Sequence, residues 1–275
     1  MTGLLRSLAL AAVMLGALAP PALAARAEAV IELLRLDEVL EIMRVEGMEH
    51  GEAIGAGLVA AQDEAAWAAA VRRIYDPERM RATMAEGLDD ALPSDPGMIG
   101  HVEGFFTSDL GRRVLELEVS ARRAMLDDAV EELARAGWSE LEEEDGPRAA
   151  ALRRFVAVGD LVEQNVVGGL NSTYAFYAGL RDSGAGGIDG AGMLDDVRGQ
   201  EAAIRAEVDE WLHAYLALAF GPLEPAELEA YTAFFDTPSG RVLNAALFEG
   251  FNGMFEALSR QLGQAAGGLM LGEDL

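Results

Sequence analysis

Apolar residues recur at steps of three and four along almost the whole chain, as at Leu33, Leu36, Leu40 and Met43. This spacing places the apolar side chains on one face of an α-helix. Long alternation of polar and apolar residues, which is typical of a β-strand, is nearly absent from the sequence. The sequence therefore predicts an all-α fold.

A polar residue followed by proline, a pattern typical of the start of a helix, occurs several times in the sequence. Asp76-Pro77, Asp95-Pro96, Glu224-Pro225 and Thr237-Pro238 have this form. Asp and Thr side chains accept hydrogen bonds from the free N–H groups of a first turn, and proline in that turn has no N–H to lose. Together with the periodicity, these signals predict helices over 27–46, 50–61, 64–74, 77–91, 96–106, 109–136, 147–181, 193–220, 225–235 and 238–264.

One phrase occurs twice, as FFTSDLGR at 105–112 and FFDTPSGR at 234–241. It reads as a short helix that ends in two phenylalanines, a hydroxyl cap, and a longer helix with a glycine in its first turn. The glycine leaves room for the two helices to cross closely, which makes the phrase a structural motif. The motif comprises Phe105, Phe106, Ser108 and Gly111 in the first copy, and Phe234, Phe235, Thr237, Pro238 and Gly240 in the second.

The repeat predicts two similar helical halves that arose by internal duplication and pack as a helical bundle. We expect a signal peptide over 1–24, a first half over 25–138, an acidic linker over 139–147, a second half over 148–264 and a tail over 265–275. The Gly-rich segment 182–192 is expected to be a loop.

The amino terminus has the form of a cleavable secretory signal. Arg6 provides a positive charge, an apolar run follows, and Ala22-Leu23-Ala24 is a small-x-small cleavage pattern. The apolar run is shorter than the roughly 20 residues that span a bilayer. The sequence therefore predicts export to the periplasm, with no membrane span in the mature chain.

Composition narrows the classes of function further. The chain has no cysteine, which excludes disulfide scaffolds, thiolate zinc sites and cysteine nucleophiles. Its formal net charge is −26, a field that repels nucleic acid and anionic headgroups. We therefore expect no nucleic-acid partner, and no motif in the sequence implies a cofactor.

Segments of the second half resemble a known family. These are GDLVEQNVVGGLNSTYAFYAGL at 159–180, EWLHAYLALAFGPLEPAELEAYTAFFDTPSGRVLNAALFEGF at 210–251, and the terminal GEDL. They are similar to exported bacterial proteins of the domain of unknown function 2059 family, in particular its long alphaproteobacterial type. The resemblance implies an all-helical periplasmic protein, and it implies no reaction or catalytic residue.

Two patches are candidate binding residues. Asn171, Tyr174 and Tyr177 recur about one helical turn apart, either as part of a buried helix or as the lining of a ligand groove. Glu210 and His213 form a Glu-x-x-His pair, the spacing that places two metal ligands on one helix face. A second such pair is missing, so a metal site here competes with a hydrogen-bonded histidine.

Arg112 and Arg241, in the repeated motif, fall in the first turn of a helix, where a positive charge opposes the helix dipole. Ion pairs with carboxylates would offset this, and anion recognition is the alternative. The sequence shows no catalytic constellation. It favours a non-enzymatic module that binds a protein or the cell envelope, and the alternative is a periplasmic protein that binds a small molecule or a metal.

Overall fold

The computed structural model describes residues 21–185 and 190–272. All regular structure in these residues is helical, so the predicted all-α fold is confirmed. A 3₁₀ turn at Ala61–Asp63 joins two of the helices. The helices are α1 (Pro21–Leu33), α2 (Leu36–Leu58), α3 (Glu64–Ile74), α4 (Pro77–Ala91), α5 (Pro96–Phe106), α6 (Asp109–Ala124), α7 (Asp128–Glu144), α8 (Pro147–Val158), α9 (Leu161–Asp182), α10 (Gly190–Phe220), α11 (Pro225–Phe235) and α12 (Pro238–Met270).

The predicted caps begin their helices as expected. Asp76 accepts a hydrogen bond from the N–H of Arg79 at 3.0 Å. Asp95 accepts one from the N–H of Gly97 at 2.9 Å. These contacts satisfy N–H groups that the helix itself leaves without a partner.

Three predicted helices are each divided in two by the structure. The boundary between α1 and α2 lies at Leu34 and Arg35 rather than near residue 48. The segment 109–136 breaks before Asp127, which caps α7 by accepting from Ala129 N–H at 2.9 Å. The segment 147–181 breaks at Gly159-Asp160, where Asp160 has φ 51°. The apolar periodicity continues through each break, so it could not reveal them.

The predicted acidic linker and tail are both corrected. Most of 139–147 is helical, since α7 continues to Glu144, and the connection is reduced to Asp145 and Gly146. The last helix does not end at 264. Residues 265–270 belong to α12, and Ala265, Ala266 and Leu269 are buried there.

Helix α12 is the central element of the bundle. It packs most extensively against α9, then against α4, and it also touches α2, α3 and α5. Close approach depends on glycines: a Cβ on Gly87 would lie 2.7 Å from the Cα of Gly250, and one on Gly263 would lie 2.0 Å from the carbonyl oxygen of Phe176. Buried apolar side chains form two clusters, and each contains residues of both predicted halves, so the halves are not separately packed units.

Candidate functional site

The two copies of the repeated motif fold into the same corner. Ser108 Oγ accepts from Gly111 N–H at 3.0 Å and donates to the Phe105 carbonyl at 2.6 Å. Thr237 Oγ1 makes the equivalent bonds to Gly240 N–H and the Phe234 carbonyl, with the same distances. The predicted structural role of these residues is confirmed at this level, while their origin by duplication stays a prediction.

The corners pack directly against each other. The rings of Phe105 and Phe234 stack with their centroids 4.1 Å apart and an interplanar angle of 11°. The Tyr231 ring also stacks on the Phe105 ring, with centroids 5.6 Å apart. The motif thus builds an aromatic layer between α5 and α11. Tyr231 of this layer, together with the adjacent Phe106 and Phe235, also lines the cavity described below.

Arg112 and Arg241 form surface ion pairs. Arg112 pairs with Asp109 at 2.6 Å and also donates to the Thr107 carbonyl. Arg241 pairs with Asp236 at 2.5 Å. Both guanidinium groups are exposed, and each has the carboxylate partner that the sequence predicted, while anion recognition by the two arginines stays a prediction.

The three residues of the predicted patch on α9 differ in their exposure to solvent. Asn171 and Tyr174 are exposed and line none of the cavities described here. Tyr177 is half-buried and lines a surface groove together with His50 and Phe176. Of the three, only Tyr177 lines one of the concave surfaces described here, and a site made by all three stays a prediction.

Glu210 and His213 do not face a common point. Glu210 is exposed and pairs with Arg135 at 3.1 Å. His213 is buried, stacks on Trp138 with centroids 4.5 Å apart, and has its Nδ1 2.8 Å from the Asp209 carbonyl. In the part of the chain that the structure describes, no three His, Asp or Glu side chains are grouped to hold a metal. The predicted pair is corrected to a stacked histidine and a surface ion pair.

A concave site with a largely apolar lining lies elsewhere, between α2, α6, α10, α11 and α12. We call it the central cavity, and its volume is about 270 Å³. Its walls are almost entirely aliphatic and aromatic. They include Val39, Met43, Phe106, Leu115, Val119, Phe155, Leu212, Leu216, Phe235, Leu243, Leu247, Phe248 and Phe251.

A half-buried carboxyl group lies in this apolar wall. Glu118 Oε1 accepts a hydrogen bond from Tyr231 Oη at 3.0 Å, and the Glu118 carbonyl accepts one from Tyr215 Oη at 3.2 Å. Burial disfavours the charged form and raises the pKa of Glu118 to about 7, although the Tyr231 hydrogen bond acts in the opposite direction. Glu118 therefore changes its protonation near neutral pH.

Arg122, one turn further along α6, completes the polar end of the cavity. It pairs with Glu46 of α2 at 2.6 Å, and its guanidinium lies 4.6 Å from the centre of the Trp211 ring. Its Nε is buried and has no hydrogen-bond partner among the described residues. The cavity thus has a largely apolar lining that contains a cluster of donor and acceptor groups around Glu118 and Arg122.

Sequence reasoning missed this cavity, although the residue pattern of α6 contains one indication of it. Leu115, Glu118, Val119 and Arg122 follow the i, i+3, i+4, i+7 spacing of one helix face. Two of the four positions on this core-facing stripe hold ionisable residues, which are rarely buried without a partner. That exception to the apolar pattern was the available signal.

Comparison of the chain with protein-family models, with curated proteins and with solved structures finds no significant match. The resemblance to the domain of unknown function 2059 family therefore stays a prediction. Among the described residues, no helix has the length and apolar character needed to cross a membrane.

Proposed function

We propose that the protein is a periplasmic binding protein that takes an amphipathic small molecule into the central cavity. The observation that carries this proposal is the polar cluster of Glu118, Tyr231 and Arg122 in the lining of a largely apolar cavity. Ligand sites combine these same elements: an apolar lining that supplies affinity and a few polar groups that fix orientation. The cavity volume is close to the lower end of the roughly 300–1,000 Å³ found for such sites.

This proposal replaces a protein- or envelope-interaction module as the preferred function. A protein partner needs an exposed surface, whereas Glu118 and Tyr231 are hydrogen-bonded to each other within the lining of this cavity. A metal ligand lacks support because Glu210 and His213 point to different neighbours. Binding of a small molecule accounts for both the enclosed volume and the orientation of its polar groups.

Filling the cavity should abolish binding of an apolar probe. The Val119 side chain is buried and lines the cavity. We expect Val119→Phe to lower the affinity for N-phenyl-1-naphthylamine at least tenfold, because the added ring occupies the ligand volume. Probe fluorescence measures binding, and a thermal melt verifies that the variant is folded.

Val119→Ala is the matched control, since it enlarges the cavity at the same position. It should lose stability by roughly 1–3 kcal/mol and still bind the probe. Leu247→Phe at the half-buried margin is a second filling variant, should Val119→Phe fail to fold. Wild-type probe affinity in a folded filling variant would falsify the proposal.

The proposed location rests on the predicted signal peptide. Helix α1 begins at Pro21, so cleavage after Ala24 falls within its first turn, while Ala27, Val30 and Ile31 lie in the core. Expression of the full chain in an export-competent bacterium should yield a periplasmic product whose mass is that of a chain beginning at Ala25.

A bulky residue at the cleavage position tests this location directly. Ala24→Phe should leave the signal attached, while Leu23→Phe, at the permissive position beside it, should be processed normally. Intact-mass measurement distinguishes the products. A periplasmic protein that keeps residues 1–24 in the wild type contradicts the proposed cleavage.

A further inference from the structure

Two more cavities continue from the central one in a line. The middle cavity, of about 320 Å³, is lined in part by Gly168, Ser172 and Phe255. It shares Met43, Phe248 and Phe251 with the central cavity. The outer cavity, of about 540 Å³, includes His50, Ile54, Leu58 and Tyr177, and it shares Gly169 and Ser172 with the middle one.

The three cavities follow the same helices in the same direction. On α12 the lining advances from Leu243 in the central cavity to Leu262 in the outer one. On α9 it advances from Leu161 to Tyr177, and on α2 from Leu36 to Leu58. At a rise of 1.5 Å per residue, the α12 stretch is roughly 28 Å long. The cavities therefore form one elongated groove with α12 as a wall along its length.

The chemistry of the groove differs between its two ends. The central end holds Glu118 and Arg122, and the outer end opens beside the exposed Leu58. Polar side chains occur between the ends, but Asn165 donates to the Leu161 carbonyl at 2.7 Å and Thr173 to the Gly169 carbonyl at 2.9 Å. These two bond their own helix, while His50, Ser172, Asn252 and Ser259 are further polar residues of the middle and outer cavities. The lining of both cavities is mainly apolar, which fits a long apolar chain whose polar head lies at the central end.

The charges at the central end select the kind of head group. Arg122 is paired with Glu46, which compensates its charge. Its Nε–H is left free to donate a hydrogen bond. One oxygen of Glu118 is hydrogen-bonded to Tyr231. The protein as a whole carries a net charge of −26, which opposes an anionic ligand. A neutral head that both donates and accepts hydrogen bonds fits this end.

We propose that the groove holds an uncharged single-chain amphiphile, an inference that rests on the proposed binding function. Its acyl or alkyl chain lies along α12 through the middle and outer cavities. Its hydroxyl or amide head lies beside Glu118 and Arg122. This ligand class uses the full length of the groove, whereas a compact molecule uses the central cavity alone.

A chain-length series tests the proposal on the whole protein. Monoacylglycerols from octanoyl to hexadecanoyl, kept below their micelle concentrations, displace N-phenyl-1-naphthylamine at pH 7. We expect the affinity to rise about fourfold for each added methylene, the gain expected from burying one CH₂ group. The rise should continue through the longest chain because the groove extends beyond the central cavity.

A blocking variant places the chain in the groove. Ser172 lines both the middle and the outer cavity, so Ser172→Phe should end the rise in affinity at shorter chains than in the wild type. Asn171→Phe, the exposed neighbour on α9, is the matched control and should leave the series unaltered.

Each outcome separates this inference from the function on which it rests. Probe binding without any gain in affinity with chain length supports a compact ligand and overturns the inference alone. Absence of both probe and monoacylglycerol binding overturns the inference and the proposed function together. Tighter binding of the matching fatty acid anion than of the monoacylglycerol overturns the neutral head. The wild-type series decides the matter even if Ser172→Phe fails to fold.

Discussion

Replacing Gly240 with alanine is expected to lower the free energy of unfolding by roughly 1–3 kcal/mol, a cost typical of overpacking. A Cβ at this position would lie 2.2 Å from the carbonyl oxygen of Phe234 and 2.8 Å from the Cα of Phe235. Both atoms belong to the backbone of α11, so relief requires that the two helices separate. Urea unfolding of wild type and variant measures the difference.

Gly253→Ala is the matched control on the same helix. No heavy atom outside its local backbone lies within 4 Å of the Cβ that it would gain. Because alanine favours a helix interior over glycine by about 1 kcal/mol, this variant should be more stable than the wild type. The opposite signs of the two Gly→Ala changes isolate the corner contact from helix propensity. Equal stability of Gly240→Ala and wild type contradicts the close crossing.

The second corner allows the same test. At Gly111, a Cβ would lie 2.1 Å from the Phe105 carbonyl oxygen, almost the value at Gly240. Gly111→Ala should therefore cost a similar amount. The two corners stack through Phe105 and Phe234, so the double variant should not be additive. If the loss of unfolding free energy differed by more than about twofold between Gly111→Ala and Gly240→Ala, the two corners would not be equivalent.

Glu118→Gln is expected to stabilise the protein at pH 8 by about 1–3 kcal/mol and to have little effect below pH 5. Burial raises the pKa of Glu118 to about 7 in the folded state, from 4.5 for an unperturbed glutamate. The amide keeps an oxygen that can accept the Tyr231 hydrogen bond, but it carries no charge to be buried. Chemical denaturation at several pH values measures the difference between variant and wild type.

The sign follows from proton binding. Between pH 4.5 and about 7 the folded state holds the Glu118 proton more tightly than the unfolded chain does. The stability that this group contributes is complete below the unfolded pKa and is lost as pH rises through the folded pKa. The ionisable groups around it are Tyr231, Tyr215, Arg122 and Glu46, and burial raises the pKa of both tyrosines further above their ordinary value. Glu118 is therefore the group of this cluster that titrates near neutrality.

Glu116→Gln provides the control for this titration. Glu116 lies on the same helix and is exposed, so removing its charge should shift stability by less than about 0.5 kcal/mol at either pH. Subtraction of this control removes the effect of altered net charge. An unchanged pH dependence in Glu118→Gln would show that Glu118 is not protonated near neutral pH in the folded protein.

The structure confirms the sequence predictions that depend on neighbours close in the chain. The Thr237 cap needs only the N–H three residues later, and the Phe-Phe corner needs only the turn that follows it. The breaks between helices were harder to predict from the sequence. Arg35 has φ 56° and Asp160 has φ 51°, both in the left-handed region, within segments whose apolar pattern is continuous. These residues turn the chain so that the next helix packs on the core, and tertiary packing holds them there.

The candidate site depends on contacts between residues far apart in the chain. Glu118 meets Tyr231 across 113 residues, and Arg122 meets Glu46 across 76. No local pattern records which faces of α2, α6 and α11 will meet. The sequence by itself determined an all-α protein with capped helices and two equivalent corners, because hydrogen bonds within a few residues specify these. Only the tertiary structure decided where an apolar cavity encloses a carboxyl group, since that requires helices from distant segments to pack around one volume.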